Sequence, residues 1–386
     1  MKKPKSMDSV QDIARHPQLG LALKPCRLLY VVGQLGLGGL ERQLGYFLRA
    51  LNRERYQPAV IIWSSSPNDI YAHEIADLGV PIYSFPSRTA PWEKLYKLRS
   101  LVRRLDPEVI HSYSFHTNIA AWWGALGSTA IPLGSIRNNF LSERRQSGII
   151  LGRLSARWPT TQICNSVAAK ELVGKCMAPF KPALLYLVRN RLDVHRFSAA
   201  PSLPSMPMLL AVGRLYPEKR WDRLIKVIAL VRDRGLAFSV RHVGGGPLLE
   251  ELQTQAKLVG VDARIQFLGP RRDVPALLAD SSFLVHTADE EGCPNVVMEA
   301  MACGRAVLAT DSGDIPLLVE DGKTGFVVGR GDDKALADRL VELVTNPDLC
   351  MAMGRNGRKK AEREFDLHSL VTGTLDVYRA AGWRDT

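Results

Sequence analysis

The sequence predicts an α/β protein made of two doubly wound, Rossmann-like domains with parallel sheets. Short apolar runs typical of buried strands alternate with amphipathic stretches of helical period along the first half. The same alternation starts again after a proline-rich segment at residues 201–207. Glycine-rich turns follow several of the predicted strands. We therefore expect two domains facing a cleft, with ligands bound at the carboxyl ends of the strands.

In the first half, strands are expected at residues 27–32, 58–63, 81–85 and 108–112, and helices at 40–51, 70–78 and 92–105. In the second half, strands are expected at 208–213, 238–243, 265–267 and 282–285, with helices at 221–234, 248–259 and 274–279. A further helix is expected from residue 355, with a bend near Asp366 and a last helix at 367–380. Such βαβ repetition favours a parallel sheet with helices on both faces.

Composition bounds the class of protein. The 386 residues suffice for two domains, and 46% hydrophobic content is that of a globular chain. Residues 1–24 are expected to be a disordered lead-in. No secretory signal is expected, because residues 1–18 are basic and polar without an apolar core. The six cysteines are scattered without a C-x-x-C pair, which argues against zinc and favours a reducing, cytoplasmic setting.

Positive charge is concentrated in one half of the chain. Residues 1–200 contain 27 Lys and Arg against 13 Asp and Glu, a net of +14, whereas the rest contains 24 against 26, a net of −2. Nucleic acid is disfavoured as a partner, because there is neither zinc-finger spacing nor an RNP-like aromatic strand. Residues 137–158 mix apolar side chains with arginines, which is typical of a segment lying on an anionic membrane. A surface helix packed on its own sheet fits the same pattern.

The most informative stretch is FLVHTADEEGCPNVVMEAMACGRAVLAT, residues 283–310. Glu291 and Glu299 are eight residues apart, so the first should lie on a turn and the second about one turn into a helix from Asn295. Paired carboxylates accept hydrogen bonds from vicinal hydroxyls, and free amides at the helix start suit a phosphate. The pattern indicates a sugar-phosphate ligand, although an acidic loop before an ordinary helix would share this spacing.

GRLYPEK, residues 213–219, follows the first strand of the second half. Arg214 and Lys219 lie five residues apart on a loop that enters a helix. The arginine offers a planar fork and the lysine a point charge, so together they are suited to clamp a diphosphate. Two solvated cations near a helix start are the alternative.

Two glycine-rich turns could let a phosphate or sugar approach the backbone closely. Gly36-x-Gly38-Gly39 follows the first strand, and Gly244-Gly245-Gly246-Pro247 follows the strand at 238–243. A dinucleotide site would need the spacing G-x-G-x-x-G and an acidic residue at the end of the second strand. The second strand instead ends IIWS, so such a site is disfavoured.

In combination, these motifs resemble the GT-B-fold retaining glycosyltransferases of family 4, also called glycosyl transferases group 1. EGCPNVVMEAMACG resembles their E-x7-E signature, GRLYPEK their diphosphate clamp, and the turn at 244–247 their glycine-rich turn. The ordered series spans about residues 208–328. The resemblance implies an acceptor-binding domain at 25–200, a linker at 201–207, a nucleotide-sugar domain at 208–365, and a C-terminal helix at 366–386 crossing back to the first domain.

The resemblance also implies roles for individual residues. Glu299 would meet the donor ribose and Glu291 the hydroxyls of the transferred sugar, while Arg214 and Lys219 would stabilise the leaving diphosphate. The rest of the implied donor site comprises Gly38, Gly39, Gly244, Gly246, Asn295 and Val296.

The first half resembles the family more loosely. HSYSFHTN, residues 111–118, lies where family members commonly have His-x-His followed by Asn, but Tyr113 replaces the second histidine. The catalytic histidine would then be His116, although a lone histidine at a strand end is more often a structural residue. Arg137 and Asn138 end another strand and, with Tyr113, would lie on the acceptor side.

The reaction implied is transfer of a sugar from a nucleotide-diphosphate donor to an acceptor hydroxyl, with retention of configuration and without a metal or cofactor. No Asp-x-Asp occurs in the chain. The basic first half favours a lipid-linked or cell-surface glycan precursor as acceptor, as in polysaccharide or lipopolysaccharide biosynthesis, at the inner face of the cytoplasmic membrane. Two alternatives stay open: a nucleotide-sugar epimerase of the non-hydrolysing kind, and a nucleotide-sugar-binding subunit without catalysis.

Overall fold

The computed structural model describes residues 27–176, 180–199 and 202–385. The predicted lead-in at 1–24 lies outside these ranges, as does Cys26. Contacts divide the described chain into two compact units. The first unit contains the described residues up to Arg189 and those from Leu367 onward, and the second unit is Asn190–Asp366. Part of the predicted linker, residues 202–207, therefore lies inside the second unit.

The first unit is built on a parallel sheet of seven strands. They are Leu28–Val32 (β1), Pro58–Ser65 (β2), Ile82–Pro86 (β3), Val109–Ser112 (β4), Ile131–Ile136 (β5), Thr161–Cys164 (β6) and Leu184–Leu187 (β7). Their order in the sheet is β3-β2-β1-β4-β5-β6-β7. The interior strand β1, LLYVV, is fully buried, as expected for a sheet covered by helices on both faces.

Helices follow most of these strands, and the three predicted in the first half are confirmed to within one residue at either end. They are Gly39–Ala50 (α1), Arg53–Tyr56 (α2), Ile70–Asp77 (α3), Pro91–Leu105 (α4), Asn118–Ala125 (α5), Phe140–Gln146 (α6), Ile149–Arg157 (α7) and Val167–Lys175 (α8). Side-chain caps fix several of their starts. The Asn139 carboxamide oxygen accepts hydrogen bonds from the amides of Leu141 and Ser142 at α6.

The amphipathic segment at 137–158 forms two short helices instead of one. Gly148 adopts a left-handed conformation, with φ of 81°, between α6 and α7. Leu141, Ile149 and Ile150 are exposed, whereas Phe140 is buried in the core. The segment therefore presents part of its apolar surface outward and packs the remainder inward.

The second unit also contains a parallel sheet, here of six strands. Its strands are Met208–Val212 (β8), Ser239–Val243 (β9), Ile265–Phe267 (β10), Phe283–His286 (β11), Ala306–Thr310 (β12) and Gly325–Val328 (β13). Their order in the sheet is β10-β9-β8-β11-β12-β13. Its helices are Trp221–Arg232 (α9), Leu249–Leu258 (α10), Val274–Ala279 (α11), Asn295–Ala302 (α12), Ile315–Leu318 (α13), Asp333–Thr345 (α14) and Pro347–Glu364 (α15). Two Rossmann-like folds are thus confirmed.

The last helix, Leu367–Ala380 (α16), packs on the first sheet. The Tyr378 hydroxyl lies 2.7 Å from Nδ1 of His111, and Nε2 of His111 lies 2.9 Å from the Ser135 hydroxyl. Burial lowers the pKa of His111 well below its ordinary value, so this histidine is neutral and joins α16 to β4 and β5.

None of the helices in the described ranges combines the length and the apolar character that crossing a bilayer requires.

Candidate functional site

Each sheet changes its winding direction at one point, where two strands distant in the chain become neighbours. In the second unit these strands are β8 and β11, and in the first unit they are β1 and β4. The loops that follow such strands diverge to opposite sides and leave a crevice at the carboxyl edge. The candidate site residues of each unit are therefore expected at these two positions.

At the β8–β11 position the structure brings Lys219 and Glu291 together. The Lys219 ammonium donates a hydrogen bond to Oε1 of Glu291 and forms an ion pair with it. The two side chains are 16% and 9% exposed. An ion pair this well shielded interacts more strongly than a surface pair, because little water screens the charges.

His286 completes this cluster. Its Nε2 lies 2.7 Å from Oε1 of Glu291, and since an ionised carboxylate only accepts, this nitrogen carries the proton. Burial opposes ionisation of Glu291, but the charge of Lys219 and the hydrogen bonds from His286 and Lys219 outweigh it and lower the pKa of Glu291 to about 2. Glu291 is therefore an anion at neutral pH, able to accept hydrogen bonds from hydroxyl groups.

The glycine-rich turn after β9 lies directly against the loop after β8. Gly244 has φ of 139°, and a side chain there would collide with the Gly213 carbonyl. Gly246 has φ of 156°, and a side-chain carbon there would lie 2.5 Å from the Leu215 carbonyl oxygen. Only glycine fits both positions, which keeps backbone amides close to the Lys219 loop.

Arg214 lies apart from this cluster. Its guanidinium is 57% exposed, lies 3.6 Å from Glu218, and stacks over the Tyr216 ring at 4.7 Å. Its backbone carbonyl accepts a hydrogen bond from the Trp221 indole, which fixes the loop while leaving the guanidinium accessible. The sequence predicted Arg214 and Lys219 as one clamp, and the contacts found here join Lys219 to Glu291.

Helix α12 places the remaining donor-side residues. It starts at Asn295, as predicted, so Glu291 lies on the preceding turn and Glu299 lies within the helix. Glu299 is buried, and Val296 is half-buried. The Asn190 carboxamide donates to Oδ1 of Asn295 at 2.9 Å and to the Cys293 carbonyl at 3.0 Å, which ties the start of α12 to the beginning of the second unit.

In the first unit, His116 lies at the β1–β4 position. The Gly33 amide donates to the Ser114 hydroxyl at 2.9 Å, and a side-chain carbon at Gly33 would lie 2.5 Å from Cε1 of His116. His116 is exposed, yet desolvation by the surrounding protein, together with the charge of Lys94, lowers its pKa. A neutral imidazole at this edge can accept a proton.

Gly38 and Gly39 begin the first helix of this unit. Gly38 is the residue before α1, with extended φ of −151°, and Gly39 is its first residue. A side chain at Gly38 would collide with the Glu41 carboxylate. The Glu41 carboxylate therefore lies at the start of this helix, and its negative charge opposes the binding of another anion there.

The predicted acceptor-side residues form a stacked pair and its neighbour. The guanidinium of Arg137 lies 4.2 Å from the ring centre of Tyr113, whose side chain is fully buried. Asn138 is half-buried on the turn before α6. Glu143, which the sequence analysis did not select, lies nearby: burial raises its pKa to about 8, partly offset by hydrogen bonds from the Asn138 and Arg137 amides.

His286 was also not predicted as a site residue, and the sequence contains only a weak indication of its role. A histidine inside an apolar strand is most often a core residue, and only its spacing of five from Glu291 across a turn hinted at a contact. Within the described ranges, no group of three or more His, Cys, Asp or Glu side chains is arranged to hold a metal ion.

Comparison with family models decides the family. Residues 206–346 match the model described as glycosyl transferases group 1, and residues 37–196 match the model described as glycosyltransferase family 4. The chain belongs to this glycosyltransferase family. The first of these models lies within the second unit and includes Arg214, Lys219, Glu291 and Glu299, whereas the other model covers most of the first unit.

Family relatives align with parts of the chain. A GDP-mannose-dependent alpha-(1-6)-phosphatidylinositol monomannoside mannosyltransferase from Mycolicibacterium smegmatis is 34% identical over 214 residues, covering 49% of this chain and 56% of the relative. A D-inositol 3-phosphate glycosyltransferase from Saccharomonospora viridis is 28% identical over 305 residues, covering 71% and 70%. In the first of these alignments the chain spans about half the length of the relative.

A solved structure shares the fold of this chain. The crystal structure of Anabaena Alr3699/HepE in complex with UDP-glucose superposes with a TM-score of 0.79 at 19% identity, covering 92% of this chain and 99% of that one. Its likeness establishes the GT-B architecture of two Rossmann-like domains.

Proposed function

We propose that the protein is a retaining glycosyltransferase that moves a sugar from a nucleotide-diphosphate sugar to an acceptor hydroxyl without a metal. The observation that carries the proposal is the shielded Lys219–Glu291 pair at the crevice between β8 and β11. The ammonium group is suited to bind the diphosphate of such a donor, and the neighbouring carboxylate is suited to bind the hydroxyl groups of its sugar.

The chemistry assigned to these residues follows from charge. When the bond between the anomeric carbon and the phosphate oxygen breaks, negative charge collects on the leaving diphosphate. Lys219 stabilises that charge, and the exposed Arg214 adds a planar fork to it. Glu291 accepts hydrogen bonds from the sugar hydroxyls and orients the sugar. Glu299 is assigned to the donor ribose, with Asn295 and Val296 beside it.

The first unit is assigned to the acceptor. His116 would accept the proton of the attacking hydroxyl, since its lowered pKa keeps the imidazole neutral. Arg137, which stacks on the buried Tyr113, would hold an acceptor group, with Asn138 beside it. We take a lipid-linked or cell-surface glycan precursor as the acceptor, and the phosphatidylinositol-linked substrate in the name of the Mycolicibacterium relative supports this class.

Attachment to an anionic membrane surface is part of the proposal. Ile149 and Ile150 are 74% and 76% exposed at the start of α7, and Arg145 and Arg153 are exposed on the same pair of helices. Exposed aliphatic side chains among cations are suited to the headgroup region of an anionic leaflet. Such a position would bring the acceptor-binding unit to its lipid-linked substrate.

The experiment that tests the proposed function has two steps. A panel of UDP- and GDP-linked sugars is first screened by thermal shift, since a ligand at a hundredfold excess over Kd stabilises the fold by about 2.7 kcal/mol. The stabilising donor is then incubated with lipid-linked acceptors. Release of nucleoside diphosphate with a new glycoside supports the proposal. An epimerised sugar nucleotide would indicate an epimerase. Donor binding with neither sugar transfer nor slow hydrolysis of the donor would indicate a binding subunit.

A further inference from the structure

The loops that carry Lys219 and Glu291 are joined by contacts to the residues on either side of Lys219 and to Lys219 itself. The Asp289 amide donates to the Glu218 carbonyl at 2.9 Å. The Thr287 hydroxyl lies 3.0 Å from the Lys219 carbonyl and 3.1 Å from the Arg220 carbonyl. These bonds tie the residues adjacent to Lys219 to residues shortly before Glu291.

Three side chains lock the same junction, and we call Asp289, Arg220 and Arg223 the Asp289 bridge. Nη1 of Arg220 donates to Oδ2 of Asp289 at 2.6 Å, and Nη1 of Arg223 donates to Oδ1 at 2.7 Å. Arg223 also donates to the Thr287 carbonyl at 2.9 Å, and its side chain is 4% exposed. A buried guanidinium needs such partners, so losing Asp289 would leave part of its charge uncompensated.

Arg220 has an unusual backbone for a residue with a side chain. Its φ of 53° and ψ of 44° lie in the left-handed region, immediately between Lys219 and the start of α9. This conformation is disfavoured for a non-glycine residue and persists only where the surroundings enforce it. Here Asp222 binds the guanidinium through two hydrogen bonds of 3.0 Å, and Asp289 binds it through a third.

An open cavity of about 570 Å³ borders the bridge, lined by Arg220, Arg223, Asp289, Glu290, Arg330 and Gly331. Lys219 and Glu291 are not part of this lining, although their chain neighbours Arg220 and Glu290 are. The Asp289 side chain is 30% exposed there, so its charge can be removed without opening the apolar core.

From these contacts we propose that the Asp289 bridge positions Lys219 against Glu291 and thereby sets the affinity for the donor diphosphate. The inference rests on the proposed function, in which Lys219 contacts that diphosphate. Arg220 and Asp289 are positioning residues, since they act through Lys219 and Glu291. Replacing either residue should weaken diphosphate binding only while the Lys219 ammonium is present. This dependence distinguishes positioning of Lys219 from a general effect on stability.

A double-mutant cycle tests this. The Kd values of UDP and GDP are measured by calorimetry for wild type, Asp289→Asn, Lys219→Ala and the double variant. We expect Asp289→Asn to raise the Kd about tenfold in the wild-type background and to leave it unchanged in the Lys219→Ala background. Asp338→Asn is the matched control, because it neutralises an exposed ion pair with Arg234 in the same unit; its Kd should equal that of wild type.

The outcomes separate the two claims. A wild-type Kd for Asp289→Asn, or the same tenfold loss with and without Lys219, overturns this inference while leaving the proposed function intact. Lys219→Ala with wild-type affinity, or a wild type that binds neither nucleotide, overturns the proposed function and this inference with it.

If Asp289→Asn does not fold, Arg220→Gly replaces it in the cycle, since glycine accepts the left-handed backbone and only the guanidinium arm is lost. The same coupling to Lys219 is expected, several-fold in Kd, and an additive effect overturns the inference. Arg220→Lys, which keeps a cation near Asp289, should recover part of the affinity.

Discussion

Lys219 and Arg214 carry the two positive charges assigned to the leaving diphosphate, in different surroundings. Lys219 is shielded and paired with Glu291, whereas Arg214 is exposed above Tyr216. We expect alanine at either position to lower turnover by about two orders of magnitude or more, since each removes charge stabilisation made in the transition state. Steady-state kinetics with the identified donor measure this. Arg234→Ala, at an exposed ion pair in the same unit, is the control; full activity of the Lys219 and Arg214 double variant would refute the clamp.

Glu291 should also affect how the unfolding free energy depends on pH in the acidic range. Its pKa of about 2 lies below the ordinary value of 4.5, so its stabilising contribution is complete above about pH 4.5 and is lost as the pH falls toward 2. We expect the unfolding free energy of Glu291→Gln to fall less than that of wild type between about pH 5 and pH 3, by roughly 2 kcal/mol. Urea unfolding at the two pH values measures this, and parallel losses would contradict it.

At the scale of elements, the position of the site follows from strand order. β8 and β11 are neighbours in the sheet although two strands separate them in the chain, and their loops meet for that reason. The sequence could place Lys219 and Glu291 each at a strand end, and the family resemblance implied that they share a ligand. It could not show that the ammonium would donate to the carboxylate, since this depends on side-chain placement across two loops.

Other features of the site were beyond the sequence for local physical reasons. Arg220 adopts a left-handed backbone conformation, which is rare for arginine, so backbone propensity did not predict it. His286 ends β11 one residue beyond the predicted strand, and its contact with Glu291 depends on how the intervening turn folds back. The division of the 137–158 segment depended on the conformation of Gly148, which composition does not reveal.

The glycine-rich turn gives a prediction at the same scale. Gly244→Ala would combine a disfavoured φ with a collision against the Gly213 carbonyl, so the two loops would have to separate. We expect a loss of about 1–3 kcal/mol in unfolding free energy together with weaker nucleotide binding. Chemical denaturation and calorimetry measure the two effects. Gly329→Ala is the control, because an added side chain there meets nothing within 4 Å; equal losses in both variants would contradict the argument.

At the scale of the whole molecule, charge and exposed apolar surface predict membrane association. The first 200 residues carry a net charge of +14, and α7 exposes Ile149 and Ile150. We expect the protein to float with anionic liposomes at low salt and to be released at high salt, because surface charges are then screened. Replacing both isoleucines by serine should reduce flotation several-fold.

The control for this variant is Leu258→Ser, which removes an equally exposed apolar side chain, 82% accessible, from α10 of the second unit. It should float as wild type does. Binding that does not depend on salt, or equal losses in the two variants, would remove the membrane from the account.

Binding of the diphosphate by Lys219 is tested by comparing two ligands that differ only in the diphosphate. Calorimetry with a nucleoside diphosphate and with the matching nucleoside, on wild type and on Lys219→Ala, isolates the contribution of that group. We expect wild type to prefer the diphosphate by a factor of ten or more, on the order of 1.4 kcal/mol, and Lys219→Ala to lose most of this preference. An equal preference in both proteins would show that Lys219 does not bind the diphosphate.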